Sequence, residues 1–193
     1  MADENRSSRA TRRIAGFLRD RSGSTAIEFT ALAIPFALLV FAILESCISF
    51  ASQEVMANAT DDVARELRTG QLKAAQVNGD QLKDLICDKL SIMAGQSCTQ
   101  RLSIDLRHFD TFTDAASLRF TIADGDVVLT KNGARDPKQF VVDPGVSTTK
   151  NMLRVFYKWP VMTDFMAKSL ANLNDNATLH YASVTWQNEP FDD

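Results

Sequence analysis

FTALAIPFALLVFAIL, Phe29 to Leu44, is a run of sixteen residues without a charge, and its reading decides the architecture of the chain. Widened to Ala26–Phe50, the stretch reaches 25 residues and takes in two acids, Glu28 and Glu45. A helix needs roughly 20 apolar residues to cross the hydrocarbon of a bilayer. The segment therefore spans if its ends are polar, with Glu28 and Glu45 near the two interfaces. A buried core helix is the competing reading, but a soluble core of this size rarely supplies so broad an apolar surface. One membrane helix is expected.

The charges on either side orient it. Residues 1–23 carry six arginines (Arg6, Arg9, Arg12, Arg13, Arg19, Arg21) against three acids, whereas the rest of the chain holds 15 basic and 21 acidic residues. The first basic residue after the run is Arg65. The positive-inside rule keeps such a leader in the cytoplasm and exports the body of the chain beyond the run. Over all 193 residues the net charge is −3, too mild for a disordered acidic chain and of the wrong sign for a nucleic-acid binder. A nucleic-acid arm is the alternative use of the arginines, but their position against the apolar run makes topology the better account.

Processing could occur in three ways. Signal peptides have apolar cores of about 7–15 residues followed closely by a small-residue cleavage site; here Ala57-Asn58-Ala59 lies far past Leu44. Leu44-Glu45-Ser46-Cys47 faintly resembles a lipoprotein box, but Glu45 is wrong for it. The third possibility lies ahead of the run, where Gly23 is followed by Ser24, Thr25, Ala26, Ile27, Glu28 and Phe29. A basic leader, a glycine, four residues and then Glu-Phe at the head of an apolar helix resembles the type IVb prepilin processing site. With Pro35 in the run, Glu45 at its end and the following helix containing Gln53 and Asn58, residues 13–69 resemble the TadE family of tight-adherence (Tad, or Flp) pilus systems. Val184-Thr185-Trp186-Gln187-Asn188-Glu189-Pro190-Phe191 is similar to the ending of many TadE-like proteins. The middle of the chain carries almost none of the resemblance.

The resemblance implies a minor pilin or pseudopilin, structural rather than enzymatic. It would be cut between Gly23 and Ser24 by the prepilin peptidase and would assist pilus assembly and surface adhesion. Its partners would be that peptidase, other Tad pilins, the inner-membrane assembly platform and membrane lipid, with no nucleic acid and no cofactor. The 143 residues after Phe50 are many beside the very short major pilins of these systems, which implies a minor role. The implied localisation is the bacterial inner membrane, single-pass, with the exported body periplasmic and possible incorporation in the pilus. An uncleaved, signal-anchored periplasmic binding or scaffold module is the alternative.

Glu28 has a physical reason to matter. A carboxylate in the bilayer costs roughly 2.5–3.5 kcal/mol at a helix centre, less toward an end, and gains from a cationic partner. After cleavage the α-amino group of Ser24 lies one turn away, and in an assembly a neighbour's amine could approach; the resemblance gives Glu28 and Phe29 this register role. The alternative is a helix end in the headgroups, favoured by the N-terminal dipole. Glu45 faces a similar choice, and the outer interface is the better expectation. Pro35 removes a backbone hydrogen bond and is expected to kink or loosen the helix.

Beyond the run, Val55, Ala59, Val63 and Leu67 recur every four residues, and Gly70 is a natural stop. From Thr25 to Thr69 such a helix would be about 67 Å long. A second helix is expected at 80–94. Strand-like alternation appears after it at 101–107, 117–122, 127–130, 152–159 and 178–186, with a short helix at 162–173. Leu153, Val155 and Tyr157 alternate with Arg154, Phe156 and Lys158, as on a sheet with one solvated face. The fold class is therefore α+β: a long N-terminal transmembrane helix continuing into a small antiparallel-sheet exported domain, pilin-like in layout. The expected domains are a leader 1–23 (removed), a membrane helix 24–50, its continuation 51–70 and an exported domain 71–193.

Cys87 and Cys98 enclose a short loop and, in an oxidising compartment, are expected to pair; two free buried thiols are the alternative. Cys47 reads as a small apolar residue. No HExxH, GxSxG, phosphate loop or CxxC is present, so no catalytic or metal-binding residue is assigned. Asp105 with His108 is the best enzymatic pair on offer; otherwise Asp105, Asp110 and Asp114 read as a solvated strand and turn, and His108 and His180 as surface or core residues. Asn58-Ala59-Thr60 and Asn176-Ala177-Thr178 match the sequon pattern only incidentally.

Overall fold

Helix α1 (Ser24–Arg68) opens the computed structural model, which describes residues 24–73 and 77–191. The arginine leader, including Gly23, lies outside the described residues. The chain divides into two units between Leu44 and Glu45.

In the first unit, α1 exposes apolar side chains all round: Leu32, Phe36, Leu39, Phe41 and Ile43 are all open. The helix is long and apolar enough to cross a membrane, and none of its most apolar eighteen-residue window is buried. Pro35 sits inside this part, between helical neighbours.

The second unit is built in three layers. One consists of the rest of α1 and α2 (Gly79–Ala94), which begins with a capping box: Asn78 Oδ1 accepts from Gln81 N at 2.9 Å, and Asn78 N donates to Gln81 Oε1. A 3-10 turn and α3 (Cys98–Arg101) lead into the middle layer. That layer is a four-stranded sheet ordered β5 (Val142–Asp143), β1 (Leu102–Phe109), β6 (Lys150–Pro160), β7 (Ala177–Gln187). β1–β6 and β6–β7 are antiparallel, while β5 joins β1 in parallel. The third layer is an antiparallel sheet of β2 (Leu118–Ala123), β3 (Asp126–Lys131) and β4 (Ala134–Arg135). Short helices α4 (Phe112–Ala116) and α5 (Asp164–Leu170) complete the chain. The α+β class holds, but the architecture has two sheets, one of them mixed. The sheet pairings come from long-range register, and two-residue strands such as β4 and β5 leave no periodic signal in sequence.

The main core lies between helices and middle sheet. Met56, Ala59, Val63, Ala64 and Leu67 of α1 meet Leu82, Ile86 and Leu90 of α2 and Leu102, Ile104, Leu106, Leu153 and Val155 of the sheet. Cys87 and Cys98 are disulfide-bonded beside this core, with Cα atoms 5.7 Å apart. The other face of β6 was expected to meet solvent and does not. Phe156 packs on Phe120, Phe140 and Tyr181, and Arg154 is 1% exposed, because the β2–β3 hairpin covers that face.

Candidate functional site

The covered face holds a buried charge network. Asp105 and Arg154 are register partners across β1 and β6. Asp105 Oδ2 accepts from Arg154 Nη2 at 2.7 Å and Nε at 3.2 Å, while Oδ1 accepts from Arg107 Nε at 2.8 Å and Val141 N at 3.2 Å. Arg107 also bridges to Asp136 and to the Lys138 carbonyl. Burial alone would raise the Asp136 carboxyl, but the Lys138 N–H and the Arg107 guanidinium outweigh it and hold it below the usual carboxylate range. Two arginines and two aspartates thus close on one another, and every Asp105 lone pair in reach is taken. Asp105 is fully buried rather than solvated. His108, three strand positions away and so on the opposite face, is exposed and lies 3.5 Å from Asp143. The structure does not bring Asp105 and His108 together. Among the described residues, no group of three or more His, Cys, Asp or Glu gathers to hold a metal.

The second constellation runs along α1 where it carries the body. Glu45 is not a free surface carboxylate; it is 6% exposed. It accepts from the Met162 and Thr163 amides and, at 2.7 Å, from the Thr163 hydroxyl. The charge is thus satisfied by orphan donors ahead of α5. One turn on, Ser49 Oγ lies 3.0 Å from His180 Nε2. The imidazole stacks on Trp159, its Nδ1 finds no partner among the described residues, and burial pushes its pKa down to about 4. Gln53 then pairs with the edge of β7, donating from Nε2 to the Tyr181 carbonyl at 2.8 Å and accepting from Tyr181 N at 3.2 Å. A primary amide reproduces one residue of a neighbouring strand there and so closes an edge. Gln139 does the same for Leu129 on β3, at 2.8 and 2.9 Å.

At the far end of α1, the 184–191 segment forms a clasp. Trp186 is buried and its Nε1 donates to Asn188 Oδ1 at 2.7 Å; Asn188 Nδ2 donates to the Gly145 and Val146 carbonyls. Glu189 N donates to the Arg68 carbonyl at 2.9 Å. Gly70, at φ +72°, leaves no room for a Cβ, which would come within 2.7 Å of the Phe191 ring. Helix termination at Gly70 is therefore coupled to the seating of Phe191. The contacts made by Glu45, Ser49 and His180 escaped the sequence reading. Gln53 entered the sequence reading only as part of the TadE resemblance, without a partner.

Of the expected processing and register residues, Gly23 lies outside the described residues, Ser24 is the first residue of α1, and Glu28 and Phe29 are on its exposed first turns. This stretch, with the helix up to the clasp, is the part that comparison identifies. Residues 23–65 match TadE, the TadE-like protein family model. The TadE-like match begins at Gly23, takes in the whole apolar run and stops three residues before α1 does. It includes Glu45, Ser49 and Gln53, all the α1 side chains that grip α5 and β7 by hydrogen bonds described above. No match was found among curated proteins or among solved structures.

Proposed function

We propose that this chain is a minor pilin or pseudopilin of a type IVb Tad pilus, inserted as a prepilin, cut after Gly23 and taken into the assembly to help build an adhesive fibre. The observation that carries the reading is the TadE-like match over 23–65, which joins the Gly23–Phe29 motif to an exposed apolar helix. In this reading residues 1–23 are a cytoplasmic leader, 24–50 the membrane helix, 51–70 its continuation and 71–193 an exported domain in the periplasm. The prepilin peptidase and other Tad pilins are the partners. Glu28 sets register by pairing with an N-terminal amine, and Pro35 loosens the helix for extraction from lipid.

Chemistry favours such a use of the helix. An α-amino group created at Ser24 is one turn from Glu28, so cleavage brings a cation to a carboxylate that is costly in lipid. Mass spectrometry of the mature N-terminus, from native membranes with and without the prepilin peptidase, tests the proposal. A chain starting at Ser24 only when the peptidase is present is the expected result. A chain that keeps its arginine leader in both strains overturns it and leaves a signal-anchored periplasmic scaffold.

A further inference from the structure

Among the described residues from 45 to 191, five of the eight exposed large apolar side chains fall in two short segments: Ile48 and Phe50 on α1, and Met162, Phe165 and Leu170 at α5. Phe50 is 73% exposed, Phe165 64% and Met162 63%. The segments adjoin. Met162 N and Thr163 bond to Glu45, and Phe50 and Leu170 line one cavity of about 240 Å3 with Leu179 and His180. From this we propose that α5 and the α1 turn beside it are seated in the headgroup layer of a phospholipid bilayer, making a second, monotopic membrane contact in addition to the span. The inference rests on the membrane-anchor reading of residues 24–44.

The level of the patch follows from Glu45. The charge-free run ends at Leu44, and a hydrocarbon core of about 30 Å takes roughly 20 helical residues, the length of Ala26–Glu45. Glu45 is thus at the edge of the hydrocarbon, where a carboxylate needs donors that water no longer supplies in full. It finds them ahead of α5, which fixes α5 at the same edge. The interfacial layer is about 5–8 Å thick on each side, and five residues of α1 rise about 7.5 Å, so Ile48 and Phe50 fall within it. The exposed Lys168 on α5 can extend its ammonium to lipid phosphates while its stem lies along the apolar side.

Nitroxide accessibility in the full chain tests the seating, with the protein reconstituted in vesicles of phosphatidylethanolamine and phosphatidylglycerol. Cys47 is replaced by Ser, and single labels are placed through Met162→Cys and Phe165→Cys, with Phe112→Cys and Val146→Cys as body controls and Leu38→Cys in the run. Collision with oxygen relative to a water-soluble nickel chelate is expected to be about fivefold higher at 162 and 165 than at 112 and 146. Chelate access at 162 and 165 equal to that at 112 overturns the proposal, provided that Leu38 reports lipid. Protection from both reagents also overturns it, in favour of a second copy or another protein on the patch. A water-exposed label at Leu38 removes the anchor reading itself, and the seating with it.

Discussion

Residues 25–44 and residues 45–68 belong to one helix, and both are rich in apolar side chains, yet they use them in different ways. The first stretch turns Leu, Ile and Phe outward on every side. The second buries one stripe, at 45, 52, 56, 59, 60, 63, 64 and 67, and leaves Glu54, Asp61, Asp62 and Arg65 to solvent. Spacing of three and four residues selects one face of a helix. Burial within the chain therefore requires pattern, whereas burial in lipid requires only composition. The change begins at Glu45, the first buried side chain, and is complete by Ser52, since Ile48 and Phe50 between them are still exposed.

Truncating a large side chain in each stretch breaks or sharpens this contrast most strongly. Leu67→Ala is expected to cost the body roughly 3–4 kcal/mol, since it opens a cavity between α1, α2 and the sheet. Leu39→Ala, in the exposed stretch, should leave the body's unfolding free energy, from urea titration in detergent, within about 0.5 kcal/mol of the unaltered chain. Equal losses for the two would mean that the first stretch packs on the body after all.

A smaller effect comes from His180. Its pKa is about 4 in the fold and near 6.5 in an unfolded chain, so the unfolded state takes up the proton first. The stabilisation of the neutral ring is complete above about pH 6.5 and is lost as pH falls from there toward 4, on the order of 2–3 kcal/mol in all. Thermal melts across that window should show a decline that His180→Gln removes. An unchanged decline in that variant would assign the acid sensitivity to other groups.

Gln53 gives the smallest expected change. Gln53→Ala frees both Tyr181 main-chain groups and is expected to cost about 1 kcal/mol, because water can reach part of the site. Gln53→Glu keeps the acceptor for Tyr181 N and loses the donor to its carbonyl, so urea unfolding should place it between the two. A Gln53→Glu variant as stable as the parent would show that the edge of β7 does not depend on the paired amide.

The sequence showed most of what periodicity can carry. The apolar run, the stripe at Ala59, Val63 and Leu67, the stop at Gly70 and five strands were all readable because each repeats a local pattern. Arg154 and Phe156 misled, since alternation marks two faces of a strand but cannot say that a second sheet covers the polar one. Glu45, Ser49 and Gln53 were likewise illegible in their roles. Their partners lie more than 110 residues away, and no local spacing encodes a contact at that separation. The Gly23–Phe29 motif is read from consecutive residues, and it falls at the head of the TadE-like match.

The pairing of Gln53 with Tyr181 spans 128 positions, and that interval also has a duration. At about 5–20 residues added per second, a ribosome takes roughly 6–25 s to travel from one to the other. For most of that time the stripe at Ala59, Val63 and Leu67 has been made, while β6 (Lys150–Pro160) comes only late in the interval and β7 (Ala177–Gln187) at its end. The apolar run, by contrast, needs nothing later in the chain and can enter lipid as soon as it emerges. In the proposed membrane-anchored reading, the run can therefore act as a tether before the rest of the body has been made.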